Sequence, residues 1–300
     1  MSRIQDILNK AEREGGVRRT RALGRESAGA PAAVAAAPTL PRPPAEPAGG
    51  ETRTAALGLP AAWQPAMTET APTRDAALDR RLVAALAPQS LAAEQYRSVR
   101  TRIHQAEHGR PLRSIIVTSP SKGDGKSLSA ANLALTMAQE FQQRVLLLDA
   151  DLRRSTMHRL FGIEQTPGLA DVLMGAATLE DVLIPLPAHA LTIVPAGLPP
   201  THPAELLGSA SMRRVLDTLR TRFDRVILDM PPVAPLADVQ IVSAMADALL
   251  LIVRAGVTAK PAIERALAGL DTSKVLGLVL NEAGGDGQNY DYEGYGYIAG

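Results

Sequence analysis

The nine residues Ser119-Pro-Ser-Lys-Gly-Asp-Gly-Lys-Ser127 bring two glycines, two lysines and a terminal hydroxyl together. Gly123 and Gly125 permit backbone turns that other residues resist, so that the loop's amides can point inward at phosphate oxygens. A helix starting at such a loop adds unpaired N–H donors and the positive end of its dipole. Lys126 is placed to reach the outer phosphates of a nucleotide, and the Ser127 hydroxyl to hold Mg²⁺. Two acidic sites follow: Asp149-Ala-Asp151, trailed by Leu152-Arg153-Arg154, and Asp229-Met-Pro-Pro232. Mg²⁺ at a nucleotide keeps several waters and takes one or two carboxylates, which these aspartates can supply. A third group stands at the far end: four of the five tyrosines fall in the last eleven residues, as Tyr290, Tyr292, Tyr295 and Tyr297. Only 3% of the chain is aromatic, and glycines and acids separate these rings, so they cannot form a core. They read as an exposed, modifiable end.

The elements that must position these groups alternate. Ser114–Ser119 is a buried-strand run, Ser127–Phe141 a helix, Arg144–Asp149 a second strand and Leu191–Val194 a third. Met212–Phe223 is a helix, followed by strands at Arg225–Asp229 and Ala248–Val253, a helix at Pro261–Leu270 and a last strand at Val275–Asn281. Near-continuous apolar strands alternating with helices predict an α/β fold with a mostly parallel central sheet covered on both faces. Chemistry then belongs at the carboxyl ends of the strands, where the phosphate loop and both acidic sites fall. Helical pattern also appears at Asp79–Leu86 and across Ser90–His104.

The sequence before this region has a different character. Ile4, Ile7, Leu8 and Ala11 have the spacing of a short amphipathic helix, and Arg18, Arg19, Arg21 and Arg25 follow it. That segment, residues 1–26, reads as a solvated or protein-docking helix in preference to a membrane-surface one. Residues 27–78 are rich in Ala, Pro and Gly, with an isolated Trp63, and are expected to be a disordered tether. Residues 79–284 would form the nucleotide-binding domain and 285–300 a flexible tail.

Composition excludes several classes. A net charge of +1 gives no ground for a nucleic-acid partner. The absence of cysteine removes disulfides, thiolate zinc sites and cysteine nucleophiles. No apolar run approaches the ~20 residues of a membrane helix, and the five histidines lack metal-ligand spacing.

Together these motifs resemble the bacterial tyrosine kinases of capsule and exopolysaccharide export, P-loop proteins unrelated in fold to eukaryotic kinases. Ser119–Ser127 is similar to their Walker A motif, Val145–Arg153 to the additional Walker A′ motif, and Val226–Val233 to Walker B. The Asp238 segment, Pro199–Leu207, Val275–Asn281 and the tyrosine tail are also similar. So is Glu94-Gln-Tyr-Arg97-Ser-Val-Arg100, which resembles the family's oligomerisation helix; its three charged residues recur every third position and share one helical face. The resemblance covers about residues 79–300.

The resemblance implies roles. Lys122, Gly123, Asp124, Gly125, Lys126, Ser127, Leu128 and Asn281 would bind ATP. Ser127 would bind Mg²⁺ directly, with Asp151 and Asp229 in its shell or reached through water. Asp149 would be the base, or the group that orients the tyrosine hydroxyl; a phenol of pKa ~10 needs a proton acceptor close by. Lys126, Asp149, Asp151 and Asp229 would be catalytic. Tyr290, Tyr292, Tyr295 and Tyr297 would be phosphorylated by a neighbouring subunit of a ring held through Glu94, Arg97 and Arg100. The partner would be a membrane-spanning chain-length adaptor, placing the enzyme in the cytoplasm at the inner face of the membrane.

Three departures stand out. Pro120 replaces the first Walker glycine, and Ser155 stands where the A′ motif often ends in proline. Ser121 occupies the position of the signature lysine of Min/Par ATPases, with Lys122 one place late, which counts against a Min/Par-type partitioning ATPase. A nucleotide-binding scaffold with little catalysis is the remaining alternative, and the intact Asp149, Asp151 and Asp229 argue against it.

Overall fold

A computed structural model of the chain describes residues 78–107, 109–140 and 143–283. The expected amphipathic helix near residue 4, the Ala/Pro-rich tether and the tyrosine tail lie outside the described residues. Among the described residues seven strands form one sheet: β1 (Ser114–Thr118), β2 (Val145–Asp149), β3 (Ile184–Leu186), β4 (Leu191–Val194), β5 (Arg225–Asp229), β6 (Ala248–Arg254) and β7 (Val275–Asn281). The helices, in chain order, are α1 (Val83–Leu86), α2 (Leu91–Ala106), α3 (Lys126–Ala138), α4 (Met157–Phe161), α5 (Leu169–Leu173), α6 (Leu179–Val182), α7 (Pro203–Leu207), α8 (Ala210–Arg222), α9 (Asp238–Ser243) and α10 (Lys260–Ala268).

The spatial order is β3-β4-β2-β5-β1-β6-β7, and every pairing is parallel except β3 with β4. All five residues of β1, β2 and β5 are buried, as expected of strands with helices on both faces. Strand periodicity divides them between two core layers. Ile116, Leu146, Leu148, Val226 and Leu228 face α8, α9 and α10, whereas Ile115, Val117, Leu147 and Ile227 face α1 to α4. α3 is buried along Ser129–Ala138, which explains its apolar character all round. α8 shows the complementary pattern: Met212, Val215, Leu216 and Leu219 face the core, and the Ser209 hydroxyl caps its start by accepting from the Met212 amide at 3.1 Å.

Several elements depart from the sequence expectation. α3 ends at Ala138, three residues early, with Gln139 as its C-cap. The helix expected from Asp79 is only the single turn α1, because the Asp79 carboxylate takes the Arg81 amide and guanidinium and makes a turn there. β3, an antiparallel edge strand, was not expected; it is three residues long and carries Pro185, which an edge tolerates.

The topology fixes the site. β2, β5 and β1 are neighbours, and the register pairs Asp149 directly with Asp229. Two aspartates in register on adjacent strands, whose backbones run about 4.8 Å apart, therefore share the carboxyl edge with the loop that leaves β1.

Candidate active site

The loop between β1 and α3 is held from within. The Asp124 carboxylate is buried and accepts from the Ser121 amide at 2.8 Å and from the Thr258 hydroxyl at 2.8 Å. Burial raises its pKa, while those two hydrogen bonds oppose the rise. The Asp124 carbonyl accepts from Asn281 Nδ2 at 3.0 Å. Asp124 and Asn281 thus brace the loop with their side chains, and the Asp124 amide is left for a ligand. Gly125 sits at φ +91°, and a Cβ there would lie 2.0 Å from Asn281 Nδ2, so both conformation and space demand glycine. Gly123, at φ +88°, is required by conformation alone. The Leu128 side chain packs against the core layer under α3, leaving its amide in the helix's first turn, and Lys122 is exposed on the loop.

Lys126, the first residue of α3, reaches across the sheet edge. Its Nζ lies 2.8 Å from Asp151 Oδ2, 3.3 Å from Asp229 Oδ1 and 3.1 Å from the Ser127 hydroxyl. Burial alone would lower the lysine's pKa, but the carboxylates of Asp229 and Asp151 outweigh it and hold the pKa above the ordinary value. Asp149 and Asp229 are fully buried. Burial, then the neighbouring Asp229 charge, pushes the Asp149 carboxyl up to about 7, against the Ser155 hydrogen bond and Lys126. Asp229 is also raised by burial, with Lys126 opposing. Asp149 Oδ2 accepts from the Ser155 hydroxyl at 2.7 Å and from the Met157 amide at 3.2 Å, and Oδ1 from the Asp151 amide at 3.2 Å.

The cluster has three carboxylates and one ammonium, so it carries excess negative charge when ionised. Asp229 Oδ2 is buried without a hydrogen-bond partner among the described residues. An unsatisfied buried carboxylate oxygen beside a hydroxyl, in an all-oxygen donor set, fits a hard divalent cation such as Mg²⁺.

Three partners were not singled out from sequence. Ser155 was noted only as a departure from the A′ pattern, yet its hydroxyl holds Asp149 and lies 3.2 Å from His158 Nδ1. Arg153 forms a two-pronged pair with the buried Asp238, at 2.7 and 3.0 Å, tying the loop after β2 to α9. Thr258 gave no sequence signal; it follows β6 by four residues and reaches the loop only through the fold.

The Glu94, Arg97 and Arg100 positions all lie on α2. Arg97 pairs with Glu94 at 2.7 Å, while Arg100 turns to its own chain, donating to the Thr136 carbonyl at 2.8 Å and pairing with Glu140 at 3.2 Å. Glu94 and Arg97 are the more exposed pair. The fifth tyrosine, Tyr96, packs against the core layer under α3.

Comparison with known proteins agrees with this geometry. A family profile described as an AAA domain matches residues 113–274. The chain is 39% identical to the tyrosine-protein kinase YwqD of Bacillus subtilis over 210 residues, covering 69% of this chain and 88% of that one. It is 35% identical to the tyrosine-protein kinase ptk of Acinetobacter johnsonii over 67% of its length, but spans only 28% of that longer protein. Among solved structures, the kinase domain of Escherichia coli tyrosine kinase ETK superposes with a TM-score of 0.65 at 28% identity, over 70% of this chain and 84% of that one. The BceF tyrosine kinase domain gives a TM-score of 0.60 at 35% identity, over 68% and 82%. With a P-loop, three strand-end aspartates and these relatives, the chain belongs to the bacterial tyrosine-protein kinases.

Proposed function

We propose that this chain is an ATP- and Mg²⁺-dependent tyrosine autokinase whose acceptors are Tyr290, Tyr292, Tyr295 and Tyr297 of a neighbouring copy. The observation that carries the reading is the Lys126 ammonium shared between Asp151 and Asp229, with Asp149 in register beside Asp229, on a chain that ends in a tyrosine cluster. The loop amides and Lys126 would hold the phosphates of ATP. Ser127, Asp151 and Asp229 would hold Mg²⁺, which when bound neutralises phosphate charge. A tyrosine oxygen would bond the γ-phosphorus as the bond from that phosphorus to the β–γ bridging oxygen breaks. ADP would leave, and the phenol proton would pass to Asp149. Asp149 suits that task because burial and the neighbouring Asp229 raise its carboxyl's affinity for a proton above that of an ordinary carboxylate.

Each phosphate adds about −1.5 to −2 charge to a tail that already carries Asp286, Asp291 and Glu293. Repulsion between such tails would loosen a ring assembled through Glu94, Arg97 and Arg100. The system served would be capsule or exopolysaccharide polymerisation and export, reached through a membrane-spanning adaptor; among the described residues no helix is long and apolar enough to cross a membrane. The test is incubation with ATP and Mg²⁺, with and without the adaptor's cytoplasmic segment, followed by phosphotyrosine detection. Lys126→Met should abolish the signal, and a chain truncated before Tyr290 should lose most of it. No wild-type signal even with the adaptor defeats the kinase reading; an unchanged signal on truncation defeats the tail as acceptor.

A further inference from the structure

The segment after β2 carries more cationic groups than the phosphate site uses. Arg153 is committed to the buried Asp238. Arg154 follows it, and its amide donates to Asp151 Oδ1 at 3.0 Å, which fixes it at the mouth of the carboxylate cluster. Arg159 lies five residues on, on α4, whose first residue, Met157, donates its amide to Asp149. Both Arg154 and Arg159 are exposed, and neither has a salt-bridge partner among the described residues. Arg80 is exposed as well, on the turn whose Asp79 amide donates to the Leu160 carbonyl at 2.9 Å, so it extends the basic edge past α4. Among the described residues the acids near this edge are Asp151, shared with Lys126, Asp238, paired with Arg153, Glu205, whose charge acts on Arg153, Asp79, paired with Arg81, and Glu164, exposed just beyond α4. Exposed guanidiniums with no ion pair among the described residues, beside a site proposed to hold a nucleotide through Lys126 and the loop amides, are available to an acidic occupant other than the nucleotide's phosphates.

The chain itself offers such an occupant. Residues 284–300 contain Asp286, Asp291 and Glu293 and no lysine or arginine. Tyr290 has an acid one residue away, Tyr292 has one on each side, Tyr295 has one two residues away, and Tyr297 has its nearest acid four residues away. In an extended peptide two residues span ~7 Å, comparable to the reach of an arginine side chain from the rim.

We propose that Arg154 and Arg159 form a subsite for the carboxylates flanking the acceptor tyrosine, so that the enzyme selects acidic tyrosine peptides of the kind found in its own tail. This rests on the reading of the tail of a second copy as the substrate. Tyr292 is then the preferred acceptor and Tyr297 the poorest. The contribution is electrostatic and solvent-exposed, so it acts on binding of the acceptor rather than on the phosphoryl step, and salt screens it.

The test uses full-length chains. The acceptor is the Lys126→Met chain, with its tail either unchanged, neutralised (Asp286→Asn, Asp291→Asn, Glu293→Gln) or reversed (Asp291→Lys, Glu293→Lys). The kinase carries the neutralised tail with its four tail tyrosines changed to phenylalanine, with or without Arg154→Glu and Arg159→Glu. Expected is a KM for the unchanged acceptor that rises about five- to tenfold in the double variant, no such rise for the neutralised acceptor, and recovery when the double variant meets the reversed tail. The advantage of the acidic tail should disappear in about 0.5 M salt. Equal loss against acidic and neutral acceptors, or no rescue by the reversed tail, overturns the subsite. A parent kinase that phosphorylates no acceptor tail at all overturns the tail reading and the subsite with it, and so separates the two failures.

Discussion

Asp149→Asn should stabilise the metal-free protein while disabling it. Asp149 is fully buried beside Asp229, and its carboxyl is pushed up from 3.8 to about 7. In the unfolded chain the carboxyl ionises near pH 4, whereas in the fold it keeps its proton until about 7. Between these values the unfolded state binds fewer protons than the folded one, so this group's contribution to stability falls as pH rises through that window and is lowest above about 7. The gap corresponds to an upper bound on the order of 4 kcal/mol at alkaline pH. Asparagine never ionises, but its amide would face the Asp151 N–H now 3.2 Å from Asp149 Oδ1, which costs about 1–2 kcal/mol. The net expectation at pH 8 is a gain of about 2 kcal/mol, or roughly 4–8 °C in Tm for a domain of this size. At pH 5 Asp149 is already neutral, and the gain should vanish or reverse. Thermal melts in EDTA at pH 5, 6, 7 and 8 would show the difference growing with pH, while kinase activity falls by about a hundredfold or more. A difference independent of pH, or a variant destabilised most at pH 8, would refute the crowding of Asp149 by burial and Asp229.

Lys126→Met leaves Asp151 and Asp229 without their ammonium, and calorimetry should show ATP affinity lowered by about a hundredfold, with phosphotyrosine absent. Gly125→Ala places a Cβ 2.0 Å from Asn281 Nδ2 at φ +91°, and should weaken nucleotide binding by about tenfold; adding Asn281→Ala should relieve the clash but not the backbone strain of about 1–2 kcal/mol. Arg153→Ala leaves the Asp238 carboxylate, only 1% exposed, without its partner, and should cost about 3 kcal/mol in denaturant unfolding. Adding Asp238→Asn to that variant should recover a substantial part, because the uncompensated charge is gone.

The strands were legible because each is a short apolar run bounded by polar residues. Ser114–Thr118, Val145–Asp149 and Arg225–Asp229 are buried on both sides, and no other element type accounts for such runs followed by helices. The acids at their ends were legible for the same reason: they break the apolar pattern at the sheet edge. Side-chain partners were not. Asp124 and Thr258 are 134 residues apart, and only the packing of β6 beside β1 joins them. Asn281 was placed with the ATP-binding residues, but its contact with the Asp124 carbonyl depends on the reach of β7 at the sheet's edge. Arg100 shares a helical face with Glu94 and Arg97 by spacing, yet α3 lies close enough to take its guanidinium, a fact of packing that periodicity does not contain. β3 was missed because three residues with a proline carry too little strand signal alone; its pairing with β4 makes it a strand.

The central claim is that this phosphate site acts on the tyrosine tail of the same protein. Intact-mass measurement after incubation with ATP and Mg²⁺, followed by mapping of the peptide containing Tyr290, Tyr292, Tyr295 and Tyr297, tests it most directly. The expected result is a ladder of phosphate additions confined to that peptide, abolished by Lys126→Met. An unmodified tail beside an enzyme that hydrolyses ATP, or phosphates found only elsewhere on the chain, would contradict the account.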